Sequence, residues 1–143
     1  MNSLAAFFLV QEFITELKEL KGAVLNISSI HANQTKKDFL AYAASKSMLN
    51  SITKSLAIEL SQYGVAVNAV LPAAVETEML KAGFKNDKNL LNRLKKLHPA
   101  NKVSKPTEIA KFSKNLVEFD DVFLTGSLIT FDGGISSLLK DPS

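Results

Sequence analysis

Apolar residues in this chain keep a three- and four-residue step through two long stretches and gather into short unbroken runs between them. Over residues 3–20, Phe7, Val10, Phe13, Ile14 and Leu17 keep the helical step. Lys18 and Lys21 lie near the end of that helix, where they favour its dipole, and Gly22 is expected to stop it. Its first two turns, LAAFFLV, are apolar nearly all round and call for cover on more than one side. AVLNIS, at 23–28, reads as a strand buried on both faces, as in a parallel sheet. Residues 30–40 are polar and loop-like. A second helix over 41–62 places Ala44, Met48, Leu49, Ile52, Leu56 and Leu60 on an apolar stripe, and Gly64 ends it. VAVNAVL, at 65–71, is the next buried strand, stopped by Pro72. Strand, helix and strand make a right-handed βαβ unit. The pattern weakens over 73–105, where short helices fit 76–82 and 89–97. A helix over 106–117 starts with Pro106, and SLITF at 127–131 is the last strand, ended by Gly133 and Gly134. The alternation predicts a single α/β domain over 1–143, with a parallel sheet flanked by helices.

Composition narrows the chemistry. The chain has 143 residues, 46% of them hydrophobic, which suits one domain with a proper core. It has no cysteine, so disulfides and thiolate chemistry are excluded, and a reducing cytoplasm is the expected setting. Two histidines, His31 and His98, show no metal-ligand spacing and read as ordinary surface or loop residues. A net charge of +3 makes no case for nucleic acid. Eight basic residues lie between Lys81 and Lys105 against one acid, Asp87. They read first as a solvated helical face and second as a positive flap that draws an acidic or carrier-borne substrate. The opening SLAAFFLV has no basic start or cleavage pattern and falls short of the roughly 20 residues that span a bilayer, so no membrane partner is expected.

Three side chains in one stretch are suited to joint chemistry. Ser29 closes the run AVLNIS, Tyr42 follows thirteen residues on, and Lys46 stands four after that. An i,i+4 pair shares one helix face. A cation there favours a phenolate, which lets a tyrosine give and take a proton near neutral pH. Ser29 would hold a substrate oxygen meanwhile. Each residue alone has a plain structural reading: turn chemistry, half-buried packing, a solvated amine. A hydrolase with Ser29 as nucleophile fits poorly, since no G-x-S-x-G elbow surrounds it.

The order N-I-S-S, Y-A-A-S-K, V-A-V-N-A-V-L-P and T-G-S-L-I-T-F-D-G-G resembles the short-chain dehydrogenase/reductase family over essentially the whole chain. Within it, the resemblance is to 3-oxoacyl-carrier-protein reductase-like members. It implies a Rossmann-like fold, NAD or NADP as cofactor, and a small carbonyl or alcohol as substrate. By resemblance, Tyr42 is the acid/base, Lys46 steadies it and binds the nicotinamide ribose, Ser29 orients the carbonyl, and Asn2 holds a water in a proton relay. Pro72, Ala73, Val75 and Thr77 would contact the nicotinamide amide. Ala73 stands where the family has glycine, so the turn there is expected to differ.

The glycine-rich turn that cradles a pyrophosphate is absent, since no G-x-x-x-G-x-G occurs. The resemblance therefore implies a truncated fold, the catalytic half without the N-terminal dinucleotide-binding strands. A truncated or split gene, or an alternative start at Met1, would give such a chain. The alternative is a non-catalytic remnant or interaction module that joins full-length relatives. The run AVLNIS would then be an open apolar edge, and a homo-oligomer through that edge or through helices 3–20 and 41–62 is expected.

Overall fold

The computed structural model describes residues 2–84 and 87–139, except for the side chains of Asn2 and Lys88. Three short strands form a parallel sheet in the order β1 (Ala23–Ile27), β2 (Ala66–Pro72), β3 (Leu128–Phe131). The register runs from Ala23↔Ala66 to Ile27↔Val70 on one side of β2 and from Ala69↔Leu128 to Pro72↔Phe131 on the other. The sheet and its helices are those of a truncated Rossmann-like α/β fold.

The middle strand carries the core. Val67, Ala69, Val70 and Leu71 of β2, with Val65 just before it, are fully buried. Removing each large side chain from water stabilises the fold by roughly 1.5–3 kcal/mol before the entropy of ordering is counted. The expectation that the first strand is buried on both faces is corrected. Ala23, Val24 and Leu25 of β1 are half-buried, Asn26 is buried and Ile27 is 46% exposed. It stands at a sheet edge, with β2 its only strand partner among the described residues.

The expected helix over 3–20 is two pieces, α1 (Asn2–Glu12) and α2 (Ile14–Glu19). They meet at Phe13, whose ψ of 18° departs from the helical value although the hydrogen bonds on either side persist. The stop that follows is not made by glycine freedom. Lys21 takes the left-handed turn, at φ 49°, and Gly22 N–H donates to the Leu17 carbonyl at 2.9 Å. This is a Schellman closure with lysine at the left-handed site. A Cβ on Gly22 would meet Leu17 Cδ2 at 3.0 Å, a tight contact to which the leucine side chain would have to yield.

Helix α3 (Leu40–Leu60) connects β1 to β2 and packs on α1 and β2. Val10, Leu56, Ala57, Leu60, Val65 and Val67 form its buried cluster, with Phe7, Ile14, Leu17, Val24 and Ile52 against it. The expected stripe holds for Leu49, Leu56 and Leu60, while Met48 and Ala44 are exposed. Polar residues take part of the buried face. Thr53 is fully buried, accepts from Asn26 Nδ2 at 2.9 Å and donates to the Leu49 carbonyl at 2.8 Å. A single-turn 3₁₀ helix (Ser61–Tyr63) follows, and Gly64 at φ 77° turns the chain into β2.

Beyond β2 the chain makes an excursion with α4 (Glu78–Gly83) and α5 (Lys88–Leu97). Its two ends are pinned together by a parallel bridge between Val75 and Ser104. Helix α6 (Pro106–Val117) leads back towards β3, and Phe112 packs on Phe131 with ring centroids 4.9 Å apart. The Glu108 carboxylate accepts from Lys105 N–H at 2.8 Å and from Lys102 Nζ at 2.5 Å. No helix among the described residues is long and apolar enough to cross a membrane.

Two outcomes are expected. Thr53→Val leaves the buried Asn26 amide without its partner and should destabilise the fold by about 1–3 kcal/mol, measured by denaturant unfolding. The Lys102 ammonium and the Lys105 N–H hold the Glu108 carboxyl down at about 2. Because that value lies below its unfolded one, the contribution is present at neutral pH and lost as pH falls towards 2. Glu108→Ala should thus lower the thermal midpoint at pH 7, with the difference from the parent closing in strong acid.

Candidate active site

The C-terminal end of β1 and the first turns of α3 bring the candidate side chains together. Lys46 sits on the second turn of α3, half-buried. Its Nζ donates to the Ile27 carbonyl at the end of β1, at 2.7 Å. Burial lowers its pKa from the ordinary lysine value. The same Nζ lies 5.9 Å from the centre of the Tyr42 ring, inside cation–π range. Two hydroxyls fix this turn from outside: Ser28 Oγ donates to the Lys46 carbonyl at 3.3 Å, and Ser3 Oγ to the Ser45 carbonyl at 2.5 Å.

Tyr42 is 42% exposed, and its hydroxyl has no hydrogen-bond partner among the described residues. Its ring stands edge-on to two others, 6.0 Å from His31 and 5.7 Å from Phe39. Ser29 is buried in extended backbone just past β1, and its Oγ accepts from His31 N–H at 3.2 Å. No direct hydrogen bond joins the side chains of Ser29, Tyr42 and Lys46. Asn2 opens α1, and its side chain lies outside the described structure.

The segment after β2 is committed locally. Pro72 is buried as the last residue of the strand. Ala73 N–H donates to the Phe131 carbonyl at 3.2 Å, and its backbone takes no positive φ. Alanine therefore sits there without strain. The Val75 carbonyl accepts from Thr77 N–H. Thr77 caps α4, its Oγ1 accepting from Leu80 N–H at 3.2 Å, which leaves the hydroxyl proton to give.

Both histidines correct the plain reading of them. His31 is half-buried in the aromatic group around Tyr42. His98 is 4% exposed, and its ring Nδ1 stands 2.9 Å from the Leu94 carbonyl. The sequence held one usable signal for His31, its place two residues after Ser29. His98 lines a shallow pocket of about 330 Å³ with Lys102, Ser104, Phe131 and Asp132. That pocket includes none of Ser29, Tyr42 and Lys46. Among the described residues no group of three or more His, Asp or Glu is placed to hold a metal.

The site thus sets a tyrosine–lysine pair on the first turns of α3 against the end of β1 in a parallel α/β sheet. The family described as Enoyl-(Acyl carrier protein) reductase matches residues 1–136. The chain belongs to the short-chain dehydrogenase/reductase family. It is 33% identical over 120 residues to the 3-oxoacyl-[acyl-carrier-protein] reductase of Chlamydia trachomatis, covering 84% of this chain and 47% of that one. Among solved structures, a short-chain dehydrogenase/reductase of unknown function from Caenorhabditis elegans, with cofactor, is 31% identical at a TM-score of 0.81. It covers 95% of this chain and 53% of that one. ElxO with NADP bound is 27% identical at a TM-score of 0.85, covering 94% and 55%. The chain thus spans about half the length of the relatives it matches.

Proposed function

We propose that this chain carries the proton-transfer part of an NAD(P)-dependent oxidoreductase acting on a small carbonyl or alcohol. The observation that carries the reading is the half-buried Lys46 ammonium, held between the Ile27 carbonyl and the Tyr42 ring. Tyr42 is the acid/base: its hydroxyl is exposed, unpartnered among the described residues and next to a fixed cation. Ser29 holds the substrate oxygen through its hydroxyl proton, since His31 N–H already occupies an oxygen lone pair. Asn2 is assigned the water of the proton relay by family likeness.

The donor set fits the nicotinamide end of the cofactor. Lys46 keeps two N–H groups beyond the one given to Ile27, and with the Tyr42 hydroxyl they suit a ribose diol. Thr77 has a hydroxyl proton for the carboxamide, and Pro72, Ala73 and Val75 form the wall beside it. The nicotinamide, when bound, supplies or takes up the hydride. Positions for the pyrophosphate are not offered by this sequence, which has no glycine-rich turn.

The second reading, a module that associates with copies of itself or with full-length relatives, is favoured by a different observation. Ile27 on β1 and Leu4, Phe8, Leu9 and Phe13 on and beside α1 are large apolar side chains left 45–60% exposed. The basic stretch offers less for an acidic or carrier-borne substrate. Lys81 and Lys102 are already paired with Glu78 and Glu108.

Titration with NADH and NADPH, followed by the fluorescence of the reduced nicotinamide, is expected to show only weak binding, through the nicotinamide end alone. Binding of neither would leave only the second reading. In a reconstituted full-length form given a carbonyl substrate and NADPH, Tyr42→Phe should cut turnover by about 100-fold or more with cofactor affinity little changed. Near-parental turnover would reject the acid/base role. In sizing experiments the chain should elute as an oligomer, and a single monomer peak at high concentration would remove the association reading.

A further inference from the structure

Strand β1 turns one row of backbone groups away from the sheet. Ala66 N–H donates to the Gly22 carbonyl and Ser28 N–H to the Val70 carbonyl. Backbone groups alternate sides along a strand, so those of residues 22, 24, 26 and 28 face β2, and those of Ala23, Leu25 and Ile27 face outward. The Ile27 carbonyl agrees, since it takes its bond from Lys46 Nζ and not from β2. Side chains alternate as well. Val24 packs into the cluster under α3 and Asn26 reaches Thr53 of α3, which turns Ala23, Leu25 and Ile27 to the other face. Ala23 and Leu25 are half-buried there, and Ile27 is the most exposed residue of the strand. Sheet edges are commonly protected by charge, proline or a bulge. AVLNI has no charged residue and no proline, and its register with β2 runs without a bulge.

Resting on the association reading above, we propose that this edge takes a second copy of the chain, the two β1 strands pairing antiparallel about a two-fold axis at Leu25. Leu25 then exchanges both backbone bonds with its counterpart, and Ala23 exchanges both with Ile27 of the other copy. The register follows from the strand itself. An axis at Leu25 is the one that uses all three outward positions, and Lys21, in the left-handed turn at φ 49°, closes the strand just beyond. The apolar row is self-complementary in the same register: Leu25 meets Leu25, and the large Ile27 meets the small Ala23 on one face. A two-fold contact needs this property, the same patch serving both sides. A parallel strand from a longer relative would satisfy the backbone too, yet it would not use the match of Ile27 to Ala23. Two three-stranded sheets become one continuous sheet. The Ile27 carbonyl that holds Lys46 also accepts from Ala23 N–H of the other copy, so the interface ends at the candidate site.

The chain has no cysteine, so single introduced cysteines report proximity without interference. In this register the two residues 25 lie about 5.5 Å apart at Cα, within disulfide reach. Two residues 23, or two residues 27, stand roughly 14 Å apart, four positions along the strand. Under mild oxidation Leu25→Cys is expected to form a disulfide dimer at least about 10-fold faster than Ala23→Cys or Ile27→Cys alone. An equal mixture of the Ala23→Cys and Ile27→Cys chains should cross-link one to the other. That mixture decides the register on its own if circular dichroism shows Leu25→Cys unfolded. Phe8→Cys, at an exposed position of α1, is the helix-face control. Sizing of the unmodified chain reports on association separately. An oligomer that cross-links at residue 8 or not at all, and neither at 25 nor in the mixture, discards the β1 pairing alone. A chain that stays monomeric discards the association reading with it, and one that pairs only when a full-length relative is added overturns the second copy as occupant.

Discussion

One ammonium-to-carbonyl bond ties the helix that bears the reactive side chains to the sheet. Lys46 Nζ reaches the carbonyl of Ile27, the last residue of β1, and Ile27 is in register with Val70 of the fully buried β2. The exposed start of α3 thereby takes its position from the most buried strand of the sheet. Two hydroxyl bonds, from Ser28 and Ser3, end on the same turn at the carbonyls of Lys46 and Ser45. Ser47 Oγ adds a fourth bond, donating to the Ala32 carbonyl at 2.7 Å, so polar contacts hold this helix end from several sides. An ammonium drawn partly out of water needs such a partner, because desolvation without one disfavours the charged form.

Polar side chains also set the register inside the sheet. Asn26 of β1 is buried and donates to Thr53 of α3, which fixes how far the helix slides along the strand. Asn68 of β2 is buried and works in both directions. Its Nδ2 donates to the Leu124 carbonyl at 2.7 Å, and its Oδ1 accepts from Ser127 N–H at 3.0 Å. That clamp holds the approach to β3 and so places the third strand. Apolar burial drives these strands together without choosing among alignments, and buried amides do choose, because a shifted register strands them without partners.

Much of this was readable in the residues. The runs 23–28 and 65–71 are strands, the 41–62 stretch is a helix, and Pro106 opens the helix that follows the excursion. Three features were hidden for physical reasons. Ala44 and Met48 fit the apolar period of α3, yet both are exposed, so periodicity marked a face and not its cover. Lys21 at a left-handed position has no compositional sign, since the neighbouring glycine is the residue that ordinarily takes it. The burial of His98 depends on α5 folding back towards the β3 end, a contact between distant parts of the sequence. Of the candidate site, the Tyr42–Lys46 proximity followed from helix geometry, whereas the bond to Ile27 and the ring contacts of His31 and Phe39 came only with the tertiary arrangement.

The bridge between Val75 and Ser104 has an implication for how such a chain diverges. Glu76 N–H donates to the Ser104 carbonyl and Ser104 N–H to the Ala74 carbonyl, so the backbone is stitched shut at the foot of the α4–α5 excursion. What lies above that stitch and away from His98 and Ala100, which pack at the β3 end, can lengthen, shorten or change its charges with little force transmitted to the three strands below. Selection is then free to rewrite the outer helices at a rate of their own, while the end of β1 and the first turns of α3, which bear Ser29, Tyr42 and Lys46, stay under a separate constraint.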